Sequence, residues 1–284
     1  MKKLLVFGEV LFDLFGDDAE IGGAPFNVAA HFCSLGARAD FVSAVGGDEL
    51  GQRALSHVKA SGIDPRYTVF VNSPTGYCRV TLENGHPSYD LASGVAYDEI
   101  PYPEGIDPEQ YGGLYFGTLA LRGESSRNTL ERLLPLFSER FYDINVRNPH
   151  CPVERIRHFL GFATTVKISR EEASCLFDYE GAESYIARLA KEYPNLKRII
   201  LTMDKDGSAY YERGKGVYYA PLPKEKPIST VGAGDAHCAC CLYHLFKGSD
   251  PQYMMNCAAA LSDFVITHLQ AVPALPAELK ERIV

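Results

Sequence analysis

Ser229, Thr230, Val231, Gly232, Ala233, Gly234 and Asp235 run straight into an apolar segment that ends near Phe246. Small residues at 232–234 let a backbone turn sharply and approach a ligand closely. If the apolar segment is a helix, its free N–H groups and about half a positive charge face whatever lies in front of it. The backbone of Gly232, Ala233 and Gly234 then forms an anion hole suited to a transferring phosphoryl group. Asp235, in the first turn, is placed to accept a proton from a substrate hydroxyl, a role worth about 10²–10⁴-fold in rate. The plain alternative is a first-turn acid stabilised by the helix dipole. Against it stand Ala236, Ala239, Cys240, Leu242, Tyr243, Leu245 and Phe246, apolar on most sides, which predict a buried helix. A charge without a function is costly there.

A second stretch, Gly22, Gly23, Ala24, Pro25, Phe26 and Asn27, continues to Gly36 and Gly46. Two glycines ahead of a helix can hinge or can offer bare backbone to a polyol. Asn27 carries both an amide donor and an acceptor for sugar hydroxyls. An ordinary glycine-rich turn with an N-terminal Asn accounts for the same residues.

These segments need elements to hold them. Apolar patterning predicts strands over 4–10, 38–45, 141–145, 164–168 and 197–202. Helices are expected over 25–35, 48–61, 126–138, 170–177, 182–193, 234–246 and 250–269, several with a glycine stop. Alternating strands and helices imply an α/β fold, a mostly parallel sheet covered on both faces. Residues 67–98 break that rhythm: Tyr77, Arg79 and Thr81, then Tyr89 and Leu91, alternate around Asn84 and Gly85. That is a hairpin signature. It stands either off the main body as a lid or on the edge of the main sheet.

The chain has 284 residues, 46% hydrophobic and 23% charged, with a formal net charge of −8. It is long enough for a full core, and its apolar content excludes wholesale disorder. No apolar run is long enough for a membrane-spanning helix. Lys2 and Lys3 followed by Leu4, Leu5, Val6 and Phe7 imitate a signal peptide, but Glu9 and Asp13 interrupt the run, so it reads as a first strand. The acidic balance argues against nucleic acid as a partner. The eight cysteines have no paired framework and read as reduced packing residues of a cytoplasmic protein. Cys238, Cys240, Cys241 and His244 lack a second ligand pair for a metal. His237 reads as a packed histidine. A P-loop motif is absent, and Gly232, Ala233 and Gly234 do not continue into a dinucleotide fingerprint.

Together the two glycine-rich stretches resemble the signatures of the ribokinase-like (PfkB) family of carbohydrate kinases. Gly22, Gly23, Asn27, Ala29, Gly36 and Gly46 fall at the spacing of the first signature, and Thr230, Gly232, Ala233, Gly234 and Asp235 match the second. The likeness covers nearly the whole chain. Residues 8–13, 116–122 and 143–147 resemble the opening strand and two segments of its fructokinase-like branch.

The resemblance implies a single kinase domain over 1–284, a three-layer α/β/α body with a small β-sheet lid from about 10–22 and 67–98. It implies transfer of the ATP γ-phosphoryl to a free sugar, fructose first, with ribose or 2-keto-3-deoxygluconate as alternatives. A catalytically idle sugar- or nucleotide-binding regulator is the reading from another class. Carried over residue by residue, Asp235 is the base and Gly232, Ala233 and Gly234 are the anion hole. Asp13, Gly22, Gly23 and Asn27 hold sugar hydroxyls. Asn145 and Arg147 lie near the transferring phosphate or the sugar, where a guanidinium suits phosphate oxygens; a surface ion pair is the alternative for Arg147. Thr202, Gly207, Thr230 and Asn256 contact ATP, and Glu172 acts on hydrated Mg²⁺ through water. The chain departs from the family pattern at Ser169, where Asn is usual, at Asp204, where Gly is, and at Ser229, where Asp is. Gln270 also replaces a frequent Gly, so potassium activation is left open. A homodimer through the lid is a further implication.

Overall fold

Leu4 and Val6 of strand β1 (Lys3–Phe7) face one side of the sheet and Leu5 and Phe7 the other, and all are buried. This is the two-residue period of a strand covered on both faces. The computed structural model describes every residue except 17, 84, 85 and 148, and the side chains of 80–89 lie outside that description. The Asn84–Gly85 turn expected from the sequence falls outside it as well.

The chain continues through β2 (Leu11–Phe15), β3 (Asp18–Gly22), α1 (Ala24–Ser34), β4 (Ala39–Gly46), α2 (Glu49–Ala60), β5 (Thr68–Val71), β6 (Gly76–Glu83) and β7 (His86–Leu91). Next come β8 (Tyr111–Phe116), α3 (Glu124–Leu133), β9 (Arg140–Asp143), α4 (Val153–Leu160), β10 (Thr165–Ser169), α5 (Arg170–Ala173) and α6 (Ala182–Glu192). The last part holds β11 (Arg198–Thr202), β12 (Ser208–Glu212), β13 (Gly216–Tyr219), α7 (Ala233–Lys247), α8 (Pro251–Val265) and α9 (Ala277–Ile283).

The large sheet has nine strands in the order β13-β12-β11-β10-β9-β8-β1-β4-β5. It is parallel from β11 to β5, and β12 and β13 add an antiparallel edge. Helices α1, α2, α7, α8 and α9 fill one face, through residues such as Val28, Ala54, Ala239, Met255 and Ile283. Helices α3, α4 and α6 fill the other, through Leu130, Phe159 and Ile186. The result is a three-layer α/β/α body.

A separate sheet has the order β3-β2-β6-β7. The hairpin therefore belongs to this small sheet and not to the edge of the large one. Thr68–Val71, inside the segment expected to be lid, instead pairs in parallel with β4 and extends the large sheet.

The expected strands form with shifted ends. Strand β1 stops at Phe7 because Gly8, at φ 150°, turns the chain past Pro25, whose Cγ would lie 2.4 Å from a Cβ at that position. The last long helix ends at Val265, not near 269, where the Thr267 hydroxyl and the His268 ring both bond the Phe264 carbonyl oxygen, at 2.8 and 2.9 Å. Such side chains compete with the helical ladder. Of the helix expected over 170–177, only Arg170–Ala173 forms. Sequence patterning passed over α4, β12, β13 and β8. In β8 the glycines are dictated by neighbours: a Cβ at 112 would meet the Phe246 ring at 2.6 Å, and one at 113 the Phe141 ring at 2.5 Å.

Candidate active site

Helix α7 begins on a left-handed residue, Gly232, at φ 80°. A Cβ there would stand 2.4 Å from the carbonyl oxygen of Ala271, so both backbone conformation and space require glycine. The buried His31 of α1 fixes that neighbour, its Nε2 bonding the Ala271 carbonyl oxygen at 2.9 Å. Burial drives the His31 pKa down to about 4, so the ring is neutral and its N–H donates. Helix α1 starts on another strained glycine: Gly23 has φ 109°, and a Cβ there would lie 2.6 Å from the Glu9 carbonyl oxygen.

These two helix starts bring Asn27 and Asp235 together. The Asn27 Nδ2 donates to the Asp235 Oδ2 at 2.8 Å. Asn27 itself is buried, and its Oδ1 has no hydrogen-bond partner among the described residues. Burial raises the Asp235 pKa, while the Asn27 amide, Lys167 and Arg147 pull it back and Glu172 pushes it up. The Arg147 guanidinium is exposed, and its charge is felt at Glu9, Asp13 and Asp235 alike. Asp13, on β2 of the small sheet, lies close to Gly22, the register partner of Leu11: a Cβ on Gly22 would stand 3.2 Å from the Asp13 Oδ2.

Beneath the start of α7 the large sheet carries charge where its alternation calls for apolar residues. Tyr115, Asp143 and Lys167 sit on β8, β9 and β10 and are buried. Asp143 and Lys167 are register partners, with Nζ and Oδ1 3.0 Å apart, and the Tyr115 hydroxyl donates to Asp143 Oδ2 at 2.8 Å. Burial lifts the Asp143 pKa to about 6 even against Lys167. The surrounding carboxylates of Asp143, Glu172 and Asp235 outweigh burial at Lys167 and keep it protonated. The signal for these groups in the sequence was a lone Lys inside the apolar run 164–168. Glu9 was also passed over. It is buried, its Oε2 has no partner among the described residues, and burial lifts its pKa to about 7.

The structure thus gathers Asp13, Gly22, Gly23, Asn27, Arg147 and the 232–235 segment. Asn145, two residues before Arg147, accepts from the Thr118 hydroxyl through its backbone oxygen, and no side-chain hydrogen bond among the described residues joins it to that group. Thr202, Gly207 and Asn256 lie apart, and no hydrogen bond among the described residues joins them to that group. Thr202 ends β11 beside Ser169 and Ser208. Gly207 has φ 83°, and a Cβ there would lie 3.4 Å from the Ala220 carbonyl oxygen. Asn256 is exposed on α8, its Oδ1 accepting from Gln252. Thr230 is exposed at the entry to Gly232. Asp204, where a glycine was expected, has φ 53°, the sole positive φ of a non-glycine among the described residues. Its carboxylate is exposed.

Ser169 and Glu172 close a capping box around α5: the Ser169 Oγ accepts from the Glu172 N–H, and Glu172 Oε2 accepts from the Ser169 N–H at 2.9 Å. The other oxygen, Oε1, accepts from the Val146 N–H at 2.9 Å, which ties α5 to the segment carrying Arg147.

The profile of the pfkB family of carbohydrate kinases matches residues 1–278. The chain belongs to that family. Its relatives include "Probable fructokinase-5" of Arabidopsis thaliana, 26% identical over 96% of this chain and 94% of that protein. Among solved structures, the fructokinase of Xylella fastidiosa with bound ATP superposes with a TM-score of 0.84 at 19% identity, over 99% of this chain and 97% of that one. The fructokinase of Vibrio cholerae O395, bound to fructose, ADP and calcium, gives 0.81 at 21% identity over 100% and 99%. The fold is ribokinase-like, and the kinase is a sugar kinase.

All eight cysteines of this kinase are free; Cys78, Cys151, Cys238, Cys240, Cys241 and Cys257 are buried, and Cys33 and Cys175 are half-buried. His244 is engaged by Ser249 and by the Ile283 carbonyl oxygen. His237 is buried, bonded through Nε2 to the Ser208 hydroxyl at 2.8 Å, and held neutral by burial, its pKa near 4. No helix among the described residues is long and apolar enough to cross a membrane.

Proposed function

We propose that this kinase transfers the γ-phosphoryl of ATP to a hydroxyl of a free sugar, with fructose as the substrate. The observation that carries this reading is the Asp235 carboxylate, held by Asn27 at the first turn of α7 beside the backbone N–H groups of 232–234. The sugar hydroxyl gives its proton to Asp235 as it attacks the γ-phosphorus in line. The N–H groups of Gly232 and Gly234 take up the charge that develops on the phosphoryl oxygens, joined by that of Ala233 as it leaves the Thr230 carbonyl oxygen it bonds at 3.3 Å, with Arg147 nearby. Asp13, the backbone at Gly22 and Gly23, and Asn145 hold the remaining hydroxyls. One of the two N–H groups of the Asn27 amide is committed to Asp235, which leaves the other and Oδ1 for a hydroxyl. The small sheet closes over the sugar as a lid and excludes water.

ATP approaches from the side of Thr202, Gly207, Thr230 and Asn256. The donor set fits hydrated Mg²⁺, since both Glu172 oxygens already accept a backbone N–H and retain a lone pair for water. With no carboxylate cage among the described residues, the ion would be held by waters and phosphates. When bound it neutralises charge on the β- and γ-phosphates. Free thiols throughout suit a cytoplasmic setting, and Phe15, 48% exposed at the end of β2, suits a homodimer through the lid.

A panel of fructose, ribose and 2-keto-3-deoxygluconate with ATP, read by ADP formation, tests the reading, and sedimentation tests the dimer. Fructose should give the highest kcat/KM, and Asp235→Asn should fold and lose nearly all turnover. ADP formation with none of these sugars would leave the idle regulator in its place.

A further inference from the structure

Lys167 lies where a buried strand should present an apolar side chain to α7. Its Nζ stands 3.6 Å from the point a Cβ on Gly234 would occupy, directly under the glycine segment. We propose that Lys167 supplies the phosphoryl site with a fixed positive charge from below, with Asp143 and Tyr115 holding the ammonium in place. The proposal deepens the kinase reading above and rests on it for the identity of the anion.

Three observations converge. Gly234 leaves nothing between the ammonium and the first turn of α7, so its charge adds to the partial charge of the helix terminus. The ammonium cannot swing away, because the Asp143 carboxylate binds it at 3.0 Å and the Tyr115 hydroxyl occupies the second oxygen of that carboxylate. The groups facing it are Asp143 on β9, Glu172 on α5, and Asp235, His237 and Cys238 on α7. Of these the histidine is neutral and the cysteine is a buried thiol, so the carboxylates set its state. A buried ion pair kept only for packing could be replaced by neutral residues of similar volume without loss. A charge used by the site could not.

That difference is the test. Lys167→Met alone strands the Asp143 carboxylate and should destabilise the fold, so the decisive protein is the double variant Asp143→Asn/Lys167→Met. Calorimetry with the non-hydrolysable ATP analogue AMP-PCP, in Mg²⁺, is set beside calorimetry with adenosine. The double variant should bind AMP-PCP about tenfold more weakly, bind adenosine unchanged, and lose at least about tenfold in kcat. Asp143→Asn alone, which keeps the ammonium, should stay within about threefold of wild type for AMP-PCP. Wild-type AMP-PCP affinity and kcat in the double variant would overturn the proposal, and so would an equal loss in Asp143→Asn. A wild-type protein that binds AMP-PCP but phosphorylates no sugar overturns the kinase reading instead, and the binding comparison still decides whether Lys167 serves the anion.

Discussion

Asn27 Nδ2 and Asp235 Oδ2 are 2.8 Å apart although 208 residues of chain separate them. The bond joins the starts of α1 and α7, so a residue within one glycine-rich motif orients the carboxylate that closes the other. A hydrogen bond to a carboxylate favours its ionised form, the form able to take a proton. This contact therefore fixes the direction of the proposed base and favours its ionised form against the burial that raises its pKa.

Asn27→Ala should fold and lose about 10–100-fold in kcat/KM, because an unheld base is badly placed and more protonated. The sign of its pH effect follows from the lost bond: the Asp235 pKa rises further, and the acid limb of the rate profile moves to higher pH. A profile measured on the phosphorylated sugar checks this. An unmoved acid limb would separate orientation from charge.

Glu9→Gln should make the protein more stable above neutral pH. The folded-state pKa of Glu9 is about 7 against 4.5 for the free side chain, with burial as the main cause. The folded state then holds a proton that the unfolded state releases, so stability falls as pH rises from 4.5 to 7. The glutamine variant escapes that loss, by up to about 3 kcal/mol at pH 8, and the gap should close near pH 4.5. Urea melts of both proteins across that range give the comparison.

Gly232→Ala should be destabilised by about 1–3 kcal/mol from its left-handed backbone alone. The 2.4 Å approach of the Ala271 carbonyl oxygen adds to this by pushing the 270–272 segment away. Turnover should fall more than the shift in Tm accounts for, since the displaced backbone is the proposed anion hole. A variant as active as it is stable would remove Gly232 from the chemistry.

Asp204→Gly should gain about 1 kcal/mol by relieving the left-handed aspartate. It also removes a carboxylate from the side where ATP is proposed to bind. KM for ATP should fall while kcat for the sugar holds. Thermal melts and an ATP titration read the two effects separately.

Much of this molecule could be read locally. The strand periods, the Asp48 cap of α2 and the glycine before α7 depend on residues a few positions apart, and rules of that range place them. The two glycine motifs were legible for the same reason, since each is a short segment whose backbone needs are written in its own residues. The edge strands β12 and β13 were not, because their run of tyrosines, some buried and some exposed, carries little period.

What local rules could not reach is which distant groups share a buried space. Lys167 reads as one charge in an apolar run until β9 brings Asp143 beside it and Gly234 opens the space above. Asn27 reads as a sugar ligand, and only the packing of α1 beside α7 shows that one of its amide N–H groups also holds Asp235. Glu9 reads as a break in a leader-like segment until burial lifts its pKa. The amino-acid sequence by itself determined the layers and the glycine turns and nominated Asp235 as the proposed base. Tertiary structure alone decided that Asn27 bonds Asp235 and that the Lys167 cation lies beneath the proposed anion hole, because desolvation and Coulomb energy depend on distance in space and not on position along the chain.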